Sequence, residues 1–190
     1  MDVGVPDAEL VARAAHGAPA AFGELVTRHG PAVHAYLARR TGRRDADDLL
    51  GDVWLRAWES RAGYDRRWPD ARPWLYGIAR NTLRAHWRRS SRPTAALPVA
   101  VTDPWADADS RLDAASQRGA LLGALEALSD DDREVLLLVT WEHLTPAEVA
   151  LVLGVPQGTV RSRLHRARRL VREAFESPAD TLARTWSKEA

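Results

Sequence analysis

The sequence predicts an all-α chain of two small helical domains joined by an irregular linker. Apolar residues recur at helical spacing in almost every periodic segment, whereas no segment alternates with the period of two expected of a half-buried strand. β-Branched residues are sparse, and glycine and proline fall mostly at segment boundaries, where they punctuate helices. Between the two helical halves, PTAALPVAVTDPWADADS carries three prolines and no amphipathic face, the mark of a connecting segment. A chain of 190 residues is long enough for two small cores. The expected boundaries are a first domain over 1–92, a linker over 93–112, a second domain over 113–176 and a tail over 177–190.

In order along the chain, Asp7 is placed to cap a first helix through Ala15, closed by Gly17. A second helix is expected over Ala20–Arg28. Gly30-Pro31 then restarts the chain into a third that reaches Arg40, because proline costs little at a first helical position. After Thr41-Gly42, Leu49, Val53, Trp54, Ala57 and Trp58 share one side of a helix from about Asp45 to Glu59. The polar segment Gly63–Arg72 leads into a long helix from Pro73 to about Arg89. In the second half, Leu112–Leu128 reads as one helix, and Ser129-Asp-Asp-Asp132 resembles a capping box opening the next, through Trp141. Thr145-Pro-Ala-Glu148 is a stronger start signal, with a threonine cap, proline at the first helical position and glutamate three residues after the cap. That helix ends at Gly154, and a last one runs from near Gln157 to about Phe175.

Composition narrows the function. Cysteine is absent, which excludes disulfides, thiolate metal sites and cysteine nucleophiles together and suits a cytoplasmic protein. The six histidines are scattered without metal-ligand spacing, so no metal and no cofactor is expected. No nucleophile–base pairing or phosphate-binding glycine loop is visible, so no catalytic residue and no enzyme activity is expected. No apolar run nears the ~20 residues of a membrane span, and the start of the chain has no signal-peptide pattern.

The formal net charge is only +1, but the charge is segregated. Arg161, Arg163, Arg166, Arg168, Arg169 and Arg172 lie in a stretch without an acid, and so do Arg80, Arg84, Arg88, Arg89 and Arg92. Solvated helix faces would interleave the two signs, so two local basic patches point to two places that meet phosphate. The second patch has a recognisable setting. Gly154-Val155-Pro156 joins two helices tightly, Gly154 being free to take the positive φ of a sharp turn. Val160, Leu164, Ala167 and Val171 form an apolar seam expected to pack on the preceding helix. Ser162, His165, Arg166, Arg169 and Arg172 point away from it, with Arg161 at its flank. A helix apolar on its packing side and arginine-rich outside suits the major groove, where arginine reads guanine or grips phosphate.

From Leu128 to Phe175 the chain resembles region 4 of extracytoplasmic-function (ECF) sigma factors, in the sigma-70 family of bacterial RNA polymerase sigma factors. The run Gly158-Thr-Val-Arg-Ser-Arg-Leu-His-Arg-Ala167 is especially similar to the family pattern GTV[KR]SRLxRA. The first half agrees independently: Asp45-Ala-Asp-Asp-Leu49 with Trp54-Leu-Arg-Ala-Trp58 resembles the region 2 helix DAEDLxQExFLRAW, and Pro73-Trp-Leu-Tyr-Gly-Ile-Ala-Arg-Asn81 resembles WLYxIARN.

The resemblance implies a protein that binds core RNA polymerase and promoter DNA and directs promoter-specific initiation, with an anti-sigma factor as a further partner the family admits. Asp45, Asp48, Leu49 and Asp52 are the implied core-binding residues, while Trp54 and Trp58 read better as domain core. The segment Gly63–Trp74 is implied to capture a flipped base of the −10 element, with Arg80, Asn81, Arg84 and Arg88 presented to DNA beside it. Arg161, Ser162, His165 and Arg166 are implied to read the −35 element, with Arg169 and Arg172 on the same DNA-facing side. Two departures stand out. Gly51 replaces a usual glutamine, at a cost of about 1 kcal/mol relative to alanine within a helix. Ala71 replaces a usual aromatic, and Trp68-Pro69 occupies the segment instead.

The linker passes a geometric check. Elements about 25 base pairs apart are separated by ~85 Å along the duplex. About 20 residues extend to roughly 65–70 Å, which suffices once the domains' own widths are added. Coiled freely, the same stretch averages only ~25 Å, so polymerase must hold it extended. The competing expectation is a helix-turn-helix regulator that binds a palindromic operator as a dimer, with the first domain as sensor. The region 2 motifs oppose it.

Overall fold

The computed structural model describes residues 4–90, 119 and 121–186, and all regular structure among them is helical. The helices are α1 (Asp7–Ala15), α2 (Pro19–Thr41), α3 (Arg43–Ser60), α4 (Arg72–Ser90), α5 (residues 121–127), α6 (Asp130–Thr140), α7 (Pro146–Leu153) and α8 (Gln157–Trp186). One 3₁₀ turn, Arg61–Gly63, follows α3. The expected linker over 93–112 lies outside the described residues, as does the start of the helix expected over Leu112–Leu128. The chain divides into two compact units, Met1–Pro98 with Ala147–Val155, and Val99–Pro146 with Pro156–Ala190. The division runs inside the domain expected over 113–176, with α7 falling in the first unit and α8 in the second.

In the first unit α2 is the central helix, packed on α1, α3 and α4. Its buried Phe22, Leu25, His29, Val33, Tyr36 and Leu37 recur every three or four residues, a stripe long enough to serve several neighbours. Leu10, Val11 and Ala14 of α1, Val53 and Ala57 of α3, and Leu75, Ala79 and Leu83 of α4 close around it. Trp54 and Trp58 meet Phe22 edge-on at 5.8 and 5.1 Å, so they belong to the packing, as the sequence led us to expect. Each large apolar side chain buried here contributes roughly 1.5–3 kcal/mol.

Two sequence expectations fail in this unit. α2 does not break at Gly30-Pro31: Pro31 lies inside one continuous helix. An interior proline costs about 3 kcal/mol. Burial of α2 on both sides of it, at Leu25 and His29 before and Val33, Tyr36 and Leu37 after, outweighs that local penalty. Nor does Asp7 cap α1, whose N-cap is Pro6 and has no side-chain cap bond. The Asp7 carboxylate turns inward instead, accepting from Arg28, His29 and the backbone N–H of Ala71.

Burial works against the charge on Asp7, but the bonds from His29, Ala71 and Arg28 and the His29 charge outweigh it, holding its pKa down at about 2. A carboxyl lowered from its ordinary value stabilises the fold above about pH 4, and that contribution disappears as the pH falls through the folded-state value. The shift corresponds to about 2 kcal/mol at neutral pH. Urea unfolding should therefore show Asp7→Asn less stable than the natural chain by about that amount at pH 7. The gap should shrink steadily towards pH 2, and a gap independent of pH would contradict the ionic role.

In the second unit α6 packs on α8. Val135 and Leu138 of α6 are buried, as are Val160, Leu164 and Ala167 of α8, three of the four seam residues the spacing predicts, while Val171 is half-buried. Its expected partner was the preceding helix, whereas the packing within this unit is on α6. Ser129 caps α6 as expected, its hydroxyl accepting from the Asp132 N–H at 3.2 Å. Arg133 donates to the carbonyls of Leu125, Leu128 and Glu126 at 2.7, 3.1 and 3.3 Å, supplying donors to the unpaired C-terminal end of α5. Gly154 takes φ +67°, the turn conformation expected of it. α8 continues to Trp186, past the expected end at Phe175 and through most of the expected tail.

Candidate nucleic-acid interface

The basic stripe on α4 is built by helical periodicity. Leu75, Ala79 and Leu83 face the core, and this turns Asn81, Arg84 and Arg88 outward, with Arg80 half-buried at the edge. Among the described residues, no acid pairs with Arg80, Arg84 or Arg88. Beside this stripe, Tyr64, Trp68, Trp74, Ile78, Arg80 and Asn81 line one groove together with Asp65, Asp70 and residues 151–154, placing aromatic faces next to the Arg80 guanidinium. That is the pairing single-stranded nucleic acid needs, since bases stack while phosphates meet positive charge. The segment before α4 is well tied. The Tyr64 hydroxyl donates to the Trp68 and Asp70 carbonyls at 2.6 and 3.2 Å, and its ring meets Trp74 at 5.2 Å. Burial, with the carboxylates of Asp7, Asp70 and Asp65, keeps the Tyr64 phenol protonated well above its ordinary range.

On α8, Arg161, Ser162, His165, Arg166, Arg169 and Arg172 are all exposed, as expected. Their electrostatic settings differ. Arg166 Nε lies 3.2 Å from the Asp132 carboxylate, which is buried at the start of α6, and Arg163 lies 2.7 Å from Asp131. The stretch has no acid of its own, so only the packed structure reveals these partners. Arg169 faces Glu173 at 3.8 Å, and the Ser162 hydroxyl is spent on the Thr159 carbonyl at 2.9 Å. One open concavity is lined by Arg161, Leu164, His165, Arg168, Arg169 and Arg172. Arg168 thus joins the face and Arg166 leans towards α6. A helical wheel could have placed Arg168 there, since it stands seven residues after Arg161.

α3 presents a third face. Asp48 and Asp52 are exposed as expected, but Leu49 is only 3% exposed and packs in the core, so it cannot be a surface contact. Asp45 is half-buried and lies 3.7 Å from His86. The residue the sequence reading missed is Leu55, 57% exposed on the same side as Asp48, Asp52 and Glu59. Its spacing from Asp48 and Asp52, seven and three residues, was the available signal. Gly51 is exposed with open space around its Cα, so it weakens the helix without creating a contact.

Among the described residues, Asp7, His29 and Asp70 bring three possible metal-ligand atoms within 4.8 Å of one another. Both Asp7 oxygens already accept protein donors, and the Asp70 oxygens accept from the backbone N–H and Nε of Arg72 at 2.8 and 2.7 Å. The cluster is an internal network of hydrogen bonds.

Both halves of the chain match known proteins. Residues 25–93 match the family model for sigma-70 region 2, and residues 118–171 match that for sigma-70 region 4. The chain is similar to the ECF RNA polymerase sigma factor SigM of Mycobacterium tuberculosis H37Rv, 38% identical over 165 residues, covering 85% of this chain and 81% of that one. It is 32% identical over 174 residues to the RNA polymerase sigma factor NccH of Alcaligenes xylosoxydans xylosoxydans, covering 85% and 90%. Among solved structures it is similar to CnrH in complex with the cytosolic domain of CnrY, with TM-score 0.62, 29% identity, and coverage of 90% of this chain and 97% of that one.

Proposed function

The chain belongs to the sigma-70 family and is an RNA polymerase sigma factor that directs transcription initiation, and from that premise we propose a task for each exposed face. The open concavity on α8, built on Arg161, His165, Arg168, Arg169 and Arg172, reads the −35 element as duplex. The groove beside α4, with Arg80, Asn81, Arg84 and Arg88, holds the opened −10 strand. The α3 face of Asp48, Asp52 and Leu55 docks on core polymerase. The observation that supports this reading is the placing, in one unit, of Arg80 and the stripe of Arg84 and Arg88, with no acid partner among the described residues, beside an aromatic groove, while the other unit offers arginines without one. The first suits unpaired bases and the second suits a duplex groove.

In this reading the chain works by binding and leaves the chemistry of RNA synthesis to polymerase, in the cytoplasm where polymerase and promoter meet. We assign the −10 task to residues 1–92 and the −35 task to residues 113–176, although Ala147–Val155 groups with the first unit. An anti-sigma factor covering these faces is a third proposed partner; the similar CnrH was solved in complex with another protein, the cytosolic domain of CnrY.

A binding titration tests the docking face. Mixed with core polymerase, the chain should form a one-to-one complex. Leu55→Arg should weaken it about tenfold or more, as loss of an interface hot spot does. Thermal unfolding of the free chain should barely change, since Leu55 is exposed. Unchanged affinity would place the polymerase contact elsewhere on the chain.

A further inference from the structure

One carboxylate outside the basic faces joins three elements. Asp7, the first residue of α1, is 5% exposed. Its Oδ1 accepts from Arg28 Nη1 of α2 at 2.6 Å, and its Oδ2 accepts from His29 Nε2 at 2.7 Å and from the Ala71 backbone N–H at 2.9 Å. Ala71 is fully buried, and its carbonyl accepts the Leu75 N–H at 2.9 Å in the first turn of α4. The neighbouring Ala8 N–H donates to the Pro69 carbonyl at 3.3 Å, a second tie between α1 and the same segment. The other end of the segment is held by the Tyr64 hydroxyl on the Trp68 and Asp70 carbonyls. Residues 64–71 are therefore fastened at both ends, and the Asp7 tie crosses 64 positions of sequence.

We propose that Asp7 is a positioning residue for promoter opening: it sets where residues 64–71 stand beside the aromatic groove of α4, and thereby how strongly the protein discriminates bases of the −10 element. This rests on the reading that the groove holds the opened −10 strand. Only a carboxylate suits the position, because three donors converge on it and two belong to basic side chains. An asparagine of the same shape offers one acceptor oxygen and turns its own N–H groups towards donors, so at least one tie must be lost. α1 keeps its apolar anchors Leu10, Val11 and Ala14 in that variant. The segment then loses its fixed end while the helix stays docked.

The test uses the full chain with core polymerase, comparing Asp7→Asn and Tyr64→Phe with the natural protein well below their melting temperatures. Open-complex formation is measured on one promoter and on variants carrying single base changes at −10 or at −35. Each correct base in a specific site is worth roughly a fivefold or larger preference. Asp7→Asn should lose most of the preference at −10 positions, keep that at −35 positions, and bind core polymerase within about twofold of the natural affinity. Tyr64→Phe should shift the −10 preferences in the same direction, and it carries the test if Asp7→Asn does not fold. Unchanged −10 preferences in both variants would overturn the proposal. A joint loss of −10 preference, −35 preference and core binding would also overturn it, since that is the pattern of general destabilisation. If the natural protein itself shows no −10 preference, the reading of the groove fails first, a result distinct from failure of Asp7 alone.

Discussion

Replacing Arg80 and Arg84 together with alanine is expected to reduce open-complex formation at least about tenfold, equivalent to about 1.4 kcal/mol, on a fully duplex promoter. Arg80 lines the groove and Arg84 is exposed one turn further along α4, and no acid among the described residues neutralises either. Strand opening must pay for unstacking bases, and these two charges would hold the strand once it is out. Removing two phosphate contacts to single-stranded DNA should also lower the salt slope by roughly 1.4. The fold should tolerate the change, because surface substitutions usually shift stability by less than about 0.5 kcal/mol each. Core binding, assigned to α3, should be retained. Permanganate reactivity of thymines near −10 is the measurement. A pre-melted bubble should restore only part of the signal, since capture is lost along with opening. Natural reactivity on duplex DNA at physiological salt would mean that the stripe is an ordinary solvated face.

The second large effect separates arginines that look alike in sequence. Arg161→Ala and Arg168→Ala, on the open concavity of α8, should each cost about 1–3 kcal/mol of −35 affinity if they read bases, and should relax choice at one position. Arg172→Ala, as a phosphate contact, should weaken all sequences alike and flatten the salt slope by ~1. Arg166→Ala should behave differently. Its Nε serves the buried Asp132 carboxylate, so its loss leaves a buried charge short of a partner and destabilises the second unit by about 1 kcal/mol. Fluorescence anisotropy on −35 duplexes, paired with thermal melts, distinguishes these outcomes. A base-specific loss confined to Arg166, with none at Arg161 or Arg168, would reverse the assignment of faces.

What could be read from sequence was what local chemistry decides. The Ser129 cap, the positive φ of Gly154, the apolar seam of α8 and the outward stripe of α4 all follow from spacings within a few residues, and the structure shows each of them. What could not be read depends on contacts far apart in the chain. Pro31 looked like a helix break because nothing nearby shows that both halves of α2 are buried. Asp7 looked like a cap because Ala71, its distant partner, cannot be inferred from spacing. Arg163 and Arg166 looked unneutralised because their acids stand on α6. Leu49 is buried rather than exposed for a different reason: the two sides of α3 are told apart only once α2 and α4 cover one of them.

The most direct measurement is transcription reconstituted from purified components, on fragmented genomic DNA of the source organism, with RNA 5′ ends sequenced. Core polymerase alone and this chain alone should each give no defined starts. Together they should give starts downstream of shared −35 and −10 sequences, with the yield falling as Leu55→Arg or Arg80→Ala with Arg84→Ala is introduced. Tight binding of the free chain to a palindromic site as a dimer, with no polymerase-dependent starts, would contradict a role in promoter recognition through core polymerase.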